Sequence, residues 1–93
     1  MQVRNMTGPS GKAVANQFII VDGKLRREIF QSYDCVIAIR TYYFGNSCVY
    51  LDENYWDCSR TTGKYRNQFL DETKAETQAK IDSGEYKLVD LNK

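Results

Sequence analysis

Four segments of β-type sequence, separated by short turn signals, fill residues 14–51 and limit the fold more than any other feature. The signals lie at residues 22–23, 33–34 and 45–46, where the first is Asp-Gly and the third is Gly-Asn. Such pairs favour tight hairpins, because the central positions of these turns need positive φ. Strands joined by turns this short pair as antiparallel neighbours. The pattern therefore predicts a β-meander of four strands.

The third segment, residues 35–43, is apolar on both faces under strict alternation. Val36 and Ala38 fall on one face, and Ile37 and Ile39 fall on the other. This pattern indicates a central strand that is covered on both sides, or a strand at an interface.

Helix signals replace the period of two after residue 54. Thr61 or Thr62 can cap a short helix, and Thr73 with Glu76 three residues later matches a capping box. Alternation returns near the C-terminus and predicts a last strand. The predicted fold class is α+β: a small antiparallel sheet of four strands, two short helices and a C-terminal strand.

The first dozen residues contain the turn formers Thr-Gly-Pro-Ser-Gly and show no periodicity, so we predict a flexible N-terminal arm at residues 1–12. Residues 13–93 suffice for one core, and we expect a single α+β domain there. The longest apolar stretch, residues 35–39, is far shorter than the ~20 residues that cross a bilayer, and no signal-peptide core precedes it. We therefore expect a cytoplasmic protein without a membrane partner.

The absence of histidine from all 93 residues restricts the chemistry of this chain. It removes the usual base for hydroxyl and thiol nucleophiles, although lysine and carboxylate bases remain available. The three cysteines include no C-x-x-C pair, which disfavours a zinc site. The sequence TTGK at residues 61–64 lacks the order of a phosphate loop. We expect no catalytic residue, no metal and no cofactor, and we interpret the protein as a non-enzyme.

Aromatic side chains cluster at the predicted hairpin tip that follows Arg40. Adjacent residues in a hairpin tip point to opposite faces, so at least one of Tyr42 and Tyr43 leaves the core. Exposed aromatic residues are favoured interface anchors, since they bury much area with few rotatable bonds. We therefore predict partner contacts at Arg40, Tyr42, Tyr43 and Phe44.

Basic residues provide the other candidate contacts. The 13 lysines and arginines are nearly balanced by 12 acidic residues, so nucleic-acid binding needs a local patch. Arg26 and Arg27 form the only basic doublet, and they complete the predicted partner-binding set. Arg60, Lys64 and Arg66 converge near the start of the first predicted helix, where free backbone N–H groups favour anions. We predict an anion or nucleic-acid contact there, with an ordinary capped helix as the alternative.

Several short motifs resemble those of a family of short proteins carried by bacteriophages and other mobile elements. They are NQFI at residues 16–19, FQSY at 30–33, YWDCS at 55–59, TTGKYR at 61–66, ET at 76–77 and GEY at 84–86. The resemblance spans residues 13–92. The family often has tyrosine where this chain has Cys58, and its hairpin after Ile39 usually lacks an aromatic tip like the one here. These differences imply a contact at the hairpin tip that is specific to this member. The resemblance implies a genetic setting rather than a mechanism.

These observations predict a phage-encoded, non-catalytic protein that binds a host macromolecule in the cytoplasm of the infected bacterium. The partner is a host protein or a protein–nucleic-acid complex. The phage setting favours an anti-defence inhibitor of the anti-CRISPR type. One alternative is a nucleic-acid-binding accessory protein. The other is an oligomeric sponge for small molecules or nucleotides, with its pocket between subunits. The oligomeric state stays open, a homodimer included.

Overall fold

The computed structural model describes residues 1–43 and 45–93, with the side chain of Tyr43 outside the description. These residues form a six-stranded sheet in the order β1-β2-β3-β4-β5-β6 and two helices. The first five strands are antiparallel neighbours, and β6 runs parallel to β5 after the helical crossover. The elements are β1 (Gln2–Thr7), β2 (Ala13–Asp22), β3 (Arg27–Ser32), β4 (Cys35–Tyr43), β5 (Asn46–Asp52), α1 (Arg60–Leu70), α2 (Lys74–Ser83) and β6 (Tyr86–Val89).

The α+β class is confirmed, but the predicted meander was one strand short. Gln2–Thr7, placed by the sequence in a flexible arm, forms β1 and pairs with β2. The turn formers after it close a hairpin: Gly8 N–H donates to Lys12 O, and Gly11 N–H donates to Gly8 O. Met6, only 2% exposed, fixes the strand in the core. A single buried side chain gives too weak a periodic signal to reveal such a strand.

The Asp-Gly pair at residues 22–23 does not form the predicted two-residue turn. The Asp22 carboxylate accepts hydrogen bonds from the backbone N–H groups of Lys24 and Leu25, at 3.2 and 3.3 Å. These bonds favour a longer loop, and the left-handed residue is Arg26, with φ of 50°. At the hairpin between β4 and β5 Gly45 has φ of 83°, and the residue after it already begins β5.

A β-bulge in β4 breaks the alternation expected for that strand. The register between β3 and β4 shifts where Ile37 lies. Both Ile37 and Ala38 are fully buried in the core as a result, whereas Val36 and Ile39 are only half-buried. The bulge therefore lets the strand present two consecutive residues to the helices.

Both helices begin at well-formed caps. Ser59, rather than the predicted threonines, caps α1, and its hydroxyl accepts from the Thr62 N–H at 3.1 Å. The predicted capping box at Thr73 and Glu76 is confirmed, and Gly84 ends α2 in the left-handed conformation with φ of 85°.

The core lies between the helices and one face of the sheet. The rings of Phe30 in β3 and Phe69 in α1 stack with centroids 5.8 Å apart. Ser32 and Thr62 join the same two elements by a buried hydroxyl pair at 2.9 Å. Ile81 of α2 packs against the same cluster. One face of the sheet is thereby covered.

Gln17 is a polar residue inside this core. It is fully buried in β2, and neither atom of its amide has a hydrogen-bond partner among the described residues. A buried amide without partners destabilises the folded state, whereas methionine has nearly the same shape and no such penalty. We expect Gln17→Met to raise the free energy of unfolding by about 1–3 kcal/mol, measured by urea denaturation.

Gln78→Met is the matched control, because Gln78 is exposed on α2. It should change the stability by less than about 0.5 kcal/mol. A loss of stability in Gln17→Met would mean that the amide is satisfied in solution.

Candidate functional site

The sheet face opposite the helices carries a continuous row of large apolar side chains. Phe30 and Ala38 point to the helices, so their strand neighbours Ile29 and Ile39 point the other way. The strand register aligns five of these side chains directly opposite one another across five strands, over about 19 Å: Val3, Ile20, Ile29, Ile39 and Tyr50. We define the open face by Val3, Phe18, Ile20, Ile29, Val36, Ile39 and Tyr50.

Neither helix of the described chain covers the open face. Val3 is 62% exposed at the edge of the sheet, and Ile20, Ile39 and Tyr50 are half-buried among their neighbours. Only Ile29, in the centre of the row, reaches the exposure of a core residue. Water thus meets the apolar side chains on both sides of Ile29, most of all at the β1 edge of the sheet.

Few charges lie beside this row. Asp22 and Arg27 are cross-strand partners, and their Oδ2 and Nε atoms are 3.7 Å apart. Lys87 extends the row into β6 and is exposed. The open face is therefore apolar and nearly neutral.

The two described residues of the aromatic hairpin lie on the helix side of the sheet. The Tyr42 hydroxyl donates to Glu28 Oε1 and accepts from Arg40 Nη1 at 3.4 Å. Arg40 also donates to the Phe69 carbonyl at 2.6 Å, with its guanidinium 4.7 Å from that ring centroid. Tyr42 nevertheless remains 41% exposed. The predicted contacts at Phe44 and the Tyr43 side chain lie outside the described residues.

The basic doublet is divided between two environments. Arg26 is exposed in the turn before β3, where its carbonyl accepts from the Tyr42 N–H. Arg27 is half-buried and paired with Asp22. Arg26 and Arg27 therefore do not act as one patch.

Arg60, Lys64 and Arg66 line one cavity of about 480 Å³ at the start of α1. We call it the basic cavity. Lys74, which the sequence analysis missed, lines it too, as does Asp57. No local pattern relates Lys74 to α1, because the connection between the two helices brings it there. The other lining residues are Ser59, Gly63 and Asn67.

Arg66 differs from the other cations of the basic cavity because it is only 1% exposed. Its Nη1 donates to the Trp56 carbonyl at 2.7 Å and to Asp57 at 3.2 Å, and its Nη2 donates to Asn67 at 2.9 Å. The guanidinium also lies 5.1 Å from the Trp56 ring centroid. Arg66 thus forms the base of the cavity and ties the segment before α1 to the helix.

Asp57 connects the two ends of the basic cavity. Its carboxylate accepts from Lys74 Nζ at 2.7 Å as well as from Arg66. The hydrogen bond from Lys74, followed by that from Arg66, holds the pKa of Asp57 below its usual value despite partial burial. The carboxylate is therefore ionised near neutral pH.

A second cavity, of about 400 Å³, lies beside Arg40 and Tyr42 and contains a buried carboxylate. Glu72 accepts from Tyr86 at 2.6 Å, from Thr77 at 2.7 Å and from Lys80 at 3.0 Å. We call these four residues the Glu72 cluster.

The pKa values of the Glu72 cluster move away from neutral pH. Burial acts to raise the pKa of Glu72, but the hydrogen bonds from Thr77, Tyr86 and Lys80 outweigh it and leave that pKa lowered. The hydrogen bond to Glu72 raises the pKa of Lys80, and burial, with the bond to Glu72, raises that of Tyr86 to about 12. The cluster therefore keeps its charges fixed near neutral pH and serves to join α2 to β6.

No three His, Cys, Asp or Glu side chains are grouped closely enough to hold a metal ion among the described residues. Within the same residues, neither helix has the length and apolar character needed to cross a membrane.

Comparison with protein-family models gives a match over residues 1–85 to DUF8033, described as a family of unknown function. No curated protein matches the chain. No solved structure matches it either.

Proposed function

Because this chain belongs to DUF8033, a family of unknown function, we propose from its own geometry that it is a non-catalytic protein that binds another protein through its open face. The observation that carries the proposal is the uncovered apolar row from Val3 to Tyr50. Soluble monomers rarely expose contiguous apolar patches larger than a few hundred Å², and larger patches mark interaction sites.

The size of the open face suits a protein partner. Six strands of about six residues give a surface of roughly 24 by 20 Å. This flat area of about 480 Å² is more than half of the ~800 Å² that each partner buries in a standard interface. β-branched residues dominate the row, and they lose little side-chain freedom when they are covered.

The chemistry of the open face favours an apolar protein surface over a nucleic acid. A nucleic acid needs cations along the path of its phosphates. The open face offers Lys87 on β6 and, three strands away on β3, Arg27, which is already paired with Asp22. Flat aliphatic side chains match the apolar patch of a protein, because the buried centre of a protein interface is depleted in charged residues.

A narrower form of the proposal is that the protein is encoded by a phage and inhibits a defence system of its bacterial host. A phage-encoded inhibitor would cover a working surface of a host defence complex, such as a CRISPR effector, in the cytoplasm of the infected cell. The resemblance of residues 13–92 to phage proteins supports the phage setting. The lack of histidine supports a protein that acts by binding rather than by catalysis. The nucleotide-sponge alternative needs a pocket between subunits, so it depends on self-association.

We expect Ile39→Lys to weaken binding of the partner at least about tenfold, because it buries an unpaired charge at the centre of the interface. Val3→Lys tests the same row of side chains at the edge of the sheet. Val3 is 62% exposed, so we expect this substitution to leave the stability of the fold unchanged. The partner is identified by affinity purification of tagged chain from bacterial extract, and its affinity for each purified variant is measured by calorimetry.

Gln78→Lys on α2 adds the same charge to the covered side of the sheet and is the control. Light scattering on the pure chain comes first, since a dimer broken by Ile39→Lys would assign the open face to a second copy. Partners that bind Ile39→Lys and Val3→Lys as tightly as the unaltered chain would exclude the open face as the binding surface.

A further inference from the structure

The start of α1 lacks the negative charge that usually compensates a helix N-terminus. No acidic residue lies in its first turn, whereas α2 has Glu76 in its capping box. Ser59 satisfies the N–H of Thr62, which leaves the N–H groups of Arg60 and Thr61 without an acceptor inside the helix. Positive potential therefore accumulates at the start of α1, where Ser59 and Arg60 line the basic cavity.

The side chains of the basic cavity add to this potential. Four cationic residues face the single carboxylate of Asp57, which is already shared by Arg66 and Lys74. Among the described residues, Arg60 and Lys64 form no ion pair. Two cations are thus available in a protein whose formal net charge is only +1.

Gly63 leaves space above the buried guanidinium at the base of the cavity. A methyl group on Gly63 would lie 3.7 and 3.8 Å from the Nη2 and Nη1 atoms of Arg66 and 3.9 Å from Asp57 Oδ1, all in ordinary van der Waals contact. Glycine within a helix destabilises it relative to alanine, so this position is unfavourable for the helix although alanine fits. The Nε of Arg66 also has no hydrogen-bond partner among the described residues, although the side chain is 99% buried.

We propose that the basic cavity binds a phosphate group of a small ligand. The N–H group of Arg60 would donate to one of its oxygens, and the side chains of Arg60 and Lys64 would neutralise its charge. The concave shape and the volume of about 480 Å³ suit a small phosphorylated molecule better than an extended strand. The site is remote from the open face, so it does not depend on the proposed protein partner.

The probes are inorganic phosphate and pyrophosphate, titrated into the full chain at low salt and neutral pH with two-dimensional NMR detection. We expect saturable shifts at the backbone amides of Arg60 and Thr61, with pyrophosphate bound more tightly than phosphate. Replacing both Arg60 and Lys64 with glutamine should weaken pyrophosphate binding at least about tenfold. The control variant Lys87→Gln, on β6 and outside the cavity, should change it less than twofold.

Gly63→Ala separates binding from folding. It should raise the melting temperature, since alanine favours the helix, and yet weaken pyrophosphate binding several-fold, because the methyl group occupies the cavity. Equal losses in Lys87→Gln and in the double variant would overturn the site, as would the absence of saturable binding. A single-stranded oligonucleotide without terminal phosphate that binds as tightly as pyrophosphate would overturn the assignment to a small ligand.

Discussion

Replacing Glu72 with alanine is expected to lower the free energy of unfolding by about 2–4 kcal/mol. Glu72 is 4% exposed, and its carboxylate accepts from two hydroxyl groups and one ammonium group. Its removal leaves the Tyr86 hydroxyl without its acceptor and Lys80 without its buried carboxylate partner, whereas Thr77 can still donate to the Thr73 carbonyl at 3.2 Å. A buried hydroxyl that stays unsatisfied costs about 1–3 kcal/mol. Chemical denaturation at neutral pH measures the loss.

The same measurement at low pH gives a second result. The pKa of Glu72 is lowered in the folded state, so its ionised form favours folding at pH values above its unfolded pKa. That contribution is lost as the pH falls through the folded pKa. The difference between the unaltered chain and Glu72→Ala should therefore shrink in acid.

Glu85→Ala is the control for Glu72. Glu85 is 62% exposed and reaches Lys80 only at 4.0 Å, so its loss should cost less than about 0.5 kcal/mol. Similar effects of the two substitutions would contradict the role given to the Glu72 cluster.

Replacing Arg66 with methionine is expected to destabilise the protein by about 2–3 kcal/mol. Methionine retains the aliphatic part of the side chain, so the loss reports on the guanidinium. The Trp56 carbonyl and the Asn67 side chain would lose their donors, and the contact with the Trp56 ring would disappear. Asp57 would keep Lys74 as its partner.

Lys64→Met is the matched comparison, because Lys64 lines the same cavity but is exposed. It should change the stability by less than about 0.5 kcal/mol in denaturant unfolding. If Arg66→Met were as mild as Lys64→Met, the buried contacts of Arg66 would contribute little to folding.

Local signals were sufficient for part of the fold. The meander from β2 to β5 and the capping box at Thr73 both follow from residues close together in the chain. The apolar character of both faces of β4 already indicated a covered strand or an interface. Its register did not follow, because the bulge at Ile37 depends on how β3 and the helices pack.

The candidate sites were predictable only where they depend on neighbouring residues. Arg60, Lys64 and Arg66 fall on one helix, so their common cavity could be expected from sequence. The burial of Arg66 could not, because Trp56 and Asp57 come from the preceding segment and Lys74 from the following helix. The row across the open face likewise depends on the alignment of five strands, which no single segment encodes.

The parallel pairing of β6 with β5 gives the chain an order of assembly. Each of the first four strand pairs joins neighbours through a short loop, so its closure entropy is small. Both helices separate β6 from β5 in the sequence, so this pair closes a long loop. The hydrogen bonds between the Asn92 side chain and the Val36 backbone join residues that are even further apart in the sequence. Non-local contacts of this kind form slowly. We therefore expect the meander to form early in folding and α2 with β6 to form late, and we expect slower amide hydrogen exchange in β2–β4 than in β6.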